Sequence, residues 1–192
     1  MRNAERTFLV WLPGMGLMAL ALIRGWLEAS MARHMAVELP LLLVLGIAAA
    51  ALARRDTQAF RGWNRRGLPG LVAATAITGY WMLPVALDLA VLDPRWSVAK
   101  VASMIVAGVT WSVSWPRAGV VLQAFFAINW CAMTLVAGLL YQDAPQQLCS
   151  VYLADQQGAA GRALVIFAVA GLAAWMATLM RKLASDEARL RI

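Results

Sequence analysis

The sequence predicts an all-α fold: a polytopic helical membrane protein of about six transmembrane helices in one bundle, with both termini on the cytoplasmic side. Three observations predict it. The chain of 192 residues is 62% hydrophobic and only 14% charged, whereas a soluble domain of this length needs a far more polar surface. The apolar residues form continuous runs, as from Leu41 to Leu52, where barrel strands would alternate apolar and polar positions. The basic residues gather between these runs, as a membrane topology requires.

A helix satisfies its own backbone polar groups in lipid, and about 20 mostly apolar residues cross the hydrocarbon core. Six runs qualify, at roughly 7–27, 36–53, 70–92, 97–115, 118–141 and 162–180. Together they use most of the chain, so residues 1–192 read as a single integral membrane domain.

The first run ends at Arg24-Gly25-Trp26-Leu27-Glu28. It has no small-residue cleavage pattern, so it reads as a span and not as a signal peptide. The second opens at His34 and Glu38. After it come Arg54, Arg55, Arg61, Arg65 and Arg66, five arginines in thirteen residues, which mark a cytoplasmic connection. The third run closes at Asp88 and the fourth opens at Lys100. Pro116-Arg117 turns the chain into the fifth run. A long polar connection, 142–161, precedes the sixth.

Alternation then orients every loop. The N-terminus (Arg2, Arg6), the Pro116-Arg117 turn and the tail (Arg181, Lys182, Arg189, Arg191) fall on the cytoplasmic side with the arginine loop. Only Arg24, Arg33, Arg95, Lys100 and Arg162 fall outside, together with Glu28, Glu38, Asp88, Asp93, Asp143 and Asp155. The net charge of +7 is thus accounted for by topology, and no nucleic-acid partner is expected. Trp26 and Trp96 near the outer ends, and Trp63 and Trp115 near the inner ends, suit an aromatic belt. Cys131 lies mid-span and Cys149 in the last outer loop, depths that disfavour a disulfide between them. Cys131 reads as a packing residue, and Cys149 as a free thiol or a soft ligand.

Ionisable groups within or at the edge of a span are costly and usually have a purpose. Here they are His34, Glu38, Asp88 and Lys100, all toward the outer side. His34 and Glu38 share a helix face, and Met31, Met35 and Met82 lie nearby in depth. An imidazole with thioethers is a ligand set for copper(I). The same residues also fit a structural role, in which Glu38 or Asp88 pairs with Lys100 across helices and the methionines fill gaps. No second histidine, phosphate loop or nucleophile elbow is present, so no enzymatic activity is expected.

The order of motifs resembles the CtaG-type cytochrome c oxidase assembly factors. His34-Met35-Ala36-Val37-Glu38-Leu39-Pro40 resembles that family's His-Met-x-x-His helix. Tyr80-Trp81-Met82-Leu83-Pro84 leading to Asp88 resembles its Trp-His-Leu-Pro stretch. Val98-Ala99-Lys100-Val101-Ala102-Ser103 resembles its Leu-Glu-His-Leu-Ser element, and Asp155-Gln156-Gln157-Gly158 its Asp-Gln-Gln-x-Gly-Gly motif. The matches run in family order over roughly residues 30–180. Glu38, Met82 and Val101 stand where the family has histidine, Lys100 where it has glutamate, and the family usually has seven helices.

The resemblance implies an accessory or assembly factor of a respiratory cytochrome oxidase. It would act at the periplasmic face of a bacterial inner membrane, with copper(I) held by Met31, His34, Met35 and Met82. A polar cluster of Glu38, Asp88, Lys100, Asp155, Gln156 and Gln157 is expected on the outer side, and other membrane proteins are expected as partners. A non-catalytic scaffold subunit is the alternative; small residues such as Gly46, Gly108, Gly138 and Gly171 would let its helices pack closely. A small transporter is a third reading, against which the charges gather on one side and no inverted repeat is seen.

Overall fold

The computed structural model describes residues 13–53 and 62–190, without the side chains of 154 and 186–190. The fold is all-α. Helix α1 is Pro13–Leu22 and α2 is Arg24–Glu28. Helix α3 is continuous through Met31–Arg33, a π-helical turn at His34–Glu38 and Leu39–Ala53. Then follow α4 (Leu68–Tyr80), α5 (Pro84–Leu92), α6 (Pro94–Ser114), α7 (Val120–Asp143) and α8 (Ala154–Leu190).

Among the described residues, four helices are long and apolar enough to cross a membrane: Met31–Ala51, Pro94–Arg117, Val120–Asp143 and Asp155–Ser185. They answer to the second, fourth, fifth and sixth runs of the sequence. The third run is a bent pair, α4 and α5, meeting at 73°; counted as one span it makes five. Of the first run only the part from Pro13 is described, and there Pro13–Leu22 is too short to cross by itself. By helix length and hydropathy, this is a multi-pass helical membrane protein. Arg2, Arg6, Arg54, Arg55, Arg61 and Arg191, on which much of the orientation rests, lie outside the described residues.

Proline dictates two irregularities. Pro40 has no N–H, and its ring clashes with the carbonyl one turn back. The helix widens in the turn just before it, where Leu39 N–H reaches His34 O, a five-residue step of the kind found at functional sites. Pro84 forces Leu83 into an extended conformation (φ −75°, ψ 136°), which ends α4 and starts α5. Side chains from other elements tie down the break. Tyr141 Oη donates to Met82 O at 2.8 Å, and Trp81 Nε1 donates to Ser103 Oγ at 2.8 Å. Irregular backbone at membrane depth survives only where such partners cover it.

Glycine pairs set two close helix crossings. A Cβ on Gly108 would collide with Leu43 O and approach Gly46 Cα at 2.9 Å, so α3 and α6 touch backbone to backbone. Gly138 and Gly161 do the same for α7 and α8, each facing the other's carbonyl. Gly46, Gly108 and Gly138 were legible as small contact residues, while Gly171 meets the ring of Trp130. At about 1.5 Å per residue, the 37 residues of α8 extend roughly 56 Å, well beyond a hydrocarbon core of about 30 Å.

Polar groups occupy both ends of α6. Near its start is Lys100. Near its end, the buried Asn64 donates to Ser114 Oγ at 2.7 Å and accepts from Gly70 N at 3.2 Å. Among the described residues, the buried charged side chains, Lys100 and Glu38, belong to the first end, and the buried Asn64 and Ser114 at the second are neutral.

Candidate functional site

Lys100 lies one and a half turns into α6, whose start is set by Pro94 at N1 and by Asp93, which accepts from Arg95 N at 2.8 Å. Its side chain is 0% exposed. The ammonium meets Glu38 Oε1 at 2.6 Å, Glu28 Oε1 at 3.0 Å and His34 Nε2 at 3.0 Å. An ammonium has three N–H donors, and each finds an acceptor. Glu28 Oε2 accepts from Arg24 Nε at 2.8 Å.

Hydrogen-bond accounting assigns the histidine tautomer. Tyr152 Oη donates its single proton to Glu28 O at 2.9 Å, so at 2.8 Å it accepts from His34 Nδ1–H. His34 Nε2 therefore carries the lone pair that receives Lys100. Two formal cations, Arg24 and Lys100, face two formal anions, Glu28 and Glu38, around a neutral imidazole. The network joins α2, α3, α6 and the connection before α8.

One acceptor is left over. Glu38 Oε2 is buried without a hydrogen-bond partner; it lies 3.6 Å from His34 Nε2, whose lone pair is already used. An unsatisfied buried acceptor costs on the order of 1–3 kcal/mol.

Glu28, His34 and Glu38 bring one ligand atom each to within 4.8 Å of one another. This carboxylate and imidazole donor set suits zinc and other borderline divalent ions. The Lys100 ammonium contacts the same three side chains, so a metal ion there would have to displace it.

The methionines are arranged differently. Met31 and Met35 are buried in an apolar cluster with Tyr152 and Cys149, and Met82 packs against it. The structure thus gathers Met31, Met35 and Met82 in one place, while both nitrogens of the adjacent His34 already have partners. Cys149 is also buried, with burial and then the nearby Asp88 pushing its thiol up to about 12. Burial and then Glu28 push the Tyr152 hydroxyl up as well.

Of the two carboxylates offered by the sequence as partners for Lys100, Glu38 takes the role. Asp88 instead holds the last connection, accepting from Ser150 N at 2.7 Å, Ser150 Oγ at 2.8 Å and Val151 N at 3.3 Å. Gln157 is also a latch: its Nε2 donates to Tyr141 O at 3.2 Å and its Oε1 accepts from Leu148 N at 2.9 Å. Asp155 is exposed in the first turn of α8, where a negative charge favours the helix N-terminus. Gln156 has a buried Oε1 without a partner. The polar positions expected in one cluster therefore form two groups: Glu38 and Lys100 with His34, and Asp88 and Gln157 bracing the 144–153 connection.

Sequence reasoning missed Arg24, Glu28 and Tyr152. For the first two a signal existed. Arg24 and Glu28 stand four apart, a pairing spacing, beside the apolar run. Nothing local marked Tyr152, whose partner His34 is 118 residues away.

Fold and site together define an all-α, multi-pass membrane protein whose described buried charges form an internally neutral network. Comparisons with protein-family models, with curated proteins and with solved structures return no match.

Proposed function

We propose that the chain is a non-enzymatic accessory protein of a bacterial inner membrane, of the type that assists assembly of a respiratory cytochrome oxidase, with the Lys100 network toward the periplasm and both termini cytoplasmic. The resemblance of its motif order to the CtaG type supplies the oxidase context. The observation that carries the non-enzymatic part is the convergence of Glu28, His34 and Glu38 on the Lys100 ammonium. In this reading the ammonium takes the place a metal ion would need, and the site is a structural tie between helices. Purification in mild detergent tests it: a respiratory complex should co-purify, and the protein should carry no stoichiometric metal. Recovery of the chain alone under conditions that keep the oxidase intact would count against it.

A second reading keeps copper(I) handling at Met31, His34, Met35 and Met82. The clustering of the three methionines beside Cys149 favours it, since thioethers suit copper(I). It requires His34 Nε2 to leave Lys100. Copper(I) titration of wild type and His34→Ala decides: stoichiometric binding lost with His34 supports copper handling, and no binding removes it.

A further inference from the structure

A cavity of about 540 Å³ opens between α1, α3 and α6. Its lining is graded. Arg24 at the start of α2, Glu38 and Ser97 form one end, and Leu17, Leu42 and Ile105 lie deeper along α1, α3 and α6. From Ser97 to Ile105 the wall follows roughly 12 Å of α6 at about 1.5 Å per residue. A polar head and an apolar shaft, both parallel to the helices, match the shape of a lipid lying along the bundle.

The polar end is chemically unfinished. Glu38 is only 4% exposed, lines the cavity, and keeps Oε2 without a hydrogen-bond partner. Arg24 spends Nε on Glu28 and one Nη2 hydrogen on Ala90 O at 3.5 Å. Its Nη1 has no hydrogen-bond partner among the described residues. The cavity head thus offers a cationic donor at its surface and, behind the lining, an anionic acceptor: Oε2 is closed off in this structure, and a turn of the Glu38 carboxylate would present it to a headgroup. A single headgroup answers both if it carries an N–H cation and a phosphate.

We propose that this cavity binds a glycerophospholipid with a primary-amine headgroup, as in phosphatidylethanolamine. The amine N–H satisfies Glu38 Oε2, the phosphate accepts from Arg24, and an acyl chain fills the apolar shaft. Phosphatidylcholine has the same phosphate and chains but no N–H on its quaternary nitrogen, so it cannot satisfy Glu38. This binding does not depend on the oxidase reading.

The full-length protein in mild detergent is titrated separately with phosphatidylethanolamine, phosphatidylcholine and a long-chain hydroquinone, and bound molecules are counted by native mass spectrometry. Phosphatidylethanolamine should be retained at least about tenfold better than phosphatidylcholine, the scale of one charge-assisted hydrogen bond. Ala102→Trp fills the shaft from an exposed lining position without touching the ion pairs, and should abolish retention while leaving the melting temperature unchanged. Glu38→Gln should erase the preference between the two phospholipids. Equal retention of both by wild type, tighter retention of the hydroquinone, or unchanged retention in Ala102→Trp would overturn the proposal.

Discussion

Replacing Lys100 by methionine keeps a long unbranched side chain and removes the ammonium. Glu28 Oε1 and Glu38 Oε1, now 3.0 and 2.6 Å from that nitrogen, would lose the positive charge between them. His34 Nε2 would lose its donor. Removing one member of a buried ion pair costs about 3–5 kcal/mol, because the remaining charge is left unpaired. An ordinary interhelical hydrogen bond within a membrane is worth only about 0.6 kcal/mol on average, so the two cases are well separated. The assay is reversible unfolding in mixed detergent micelles followed by tryptophan fluorescence. Lys100→Met should lose about 3–5 kcal/mol. The double variant Lys100→Met with Glu38→Gln should recover a measurable part, because the orphaned anion is gone. A loss near 0.6 kcal/mol, or no recovery in the double variant, would refute the view that Lys100 is the hub.

Three further outcomes follow from the same geometry. Tyr152→Phe removes the hydroxyl that joins His34 Nδ1 to Glu28 O, and should cost about 1–3 kcal/mol in the same unfolding assay by leaving a buried N–H without an acceptor. Gly108→Val places a side chain on the α3 backbone; the helices must separate, and overpacking of this kind costs about 1–3 kcal/mol or more, read as a lower melting temperature. The Cys149 thiol is held well above its ordinary value of 9.0. A raised thiol favours the fold below its unfolded value, and that contribution fades as pH climbs from 9.0 toward about 12. In a Cys131→Ala background, maleimide should therefore label Cys149 slowly at neutral pH, since the thiolate is the nucleophile. Asp88→Ala should speed the labelling by lowering the thiol and releasing Ser150 and Val151; an unchanged rate would argue against that bracing role.

Helix class and most span positions were readable because hydropathy is a property of whole segments. Apolar runs above the needed length can satisfy their backbone in lipid only as helices, so Val120–Asp143 and Pro94–Arg117 appear in the sequence almost as they fold. Bends were less readable. Pro84 was visible, but a proline in an apolar run is compatible with a mild kink as well as with the observed 73° break; the difference is made by Tyr141 and Trp81, which come from or reach to other helices. The last helix begins at Ala154, well before the apolar run at 162, because Asp155, Gln156 and Gln157 are polar yet helical, latching the connection that precedes them. In the site, His34, Glu38 and Lys100 announced themselves by being ionisable in apolar surroundings. Tyr152 did not, because its role is defined only by a partner distant in the chain. Arg24 and Glu28 were read as charges of an outer loop, a role in which a side chain is expected to face water.

The placement of Lys100 also bears on how the chain enters a bilayer. A lone lysine at the centre of a helix costs about 2.5–3.5 kcal/mol on insertion, less toward the ends. The span that carries Lys100 is the least apolar of the four long ones. It is synthesised after α2 and α3, which hold Glu28, His34 and Glu38. The acceptors are therefore already present when the weakest span emerges. Pairing with Glu28, His34 and Glu38 during insertion would let an early helix make a later one acceptable to lipid.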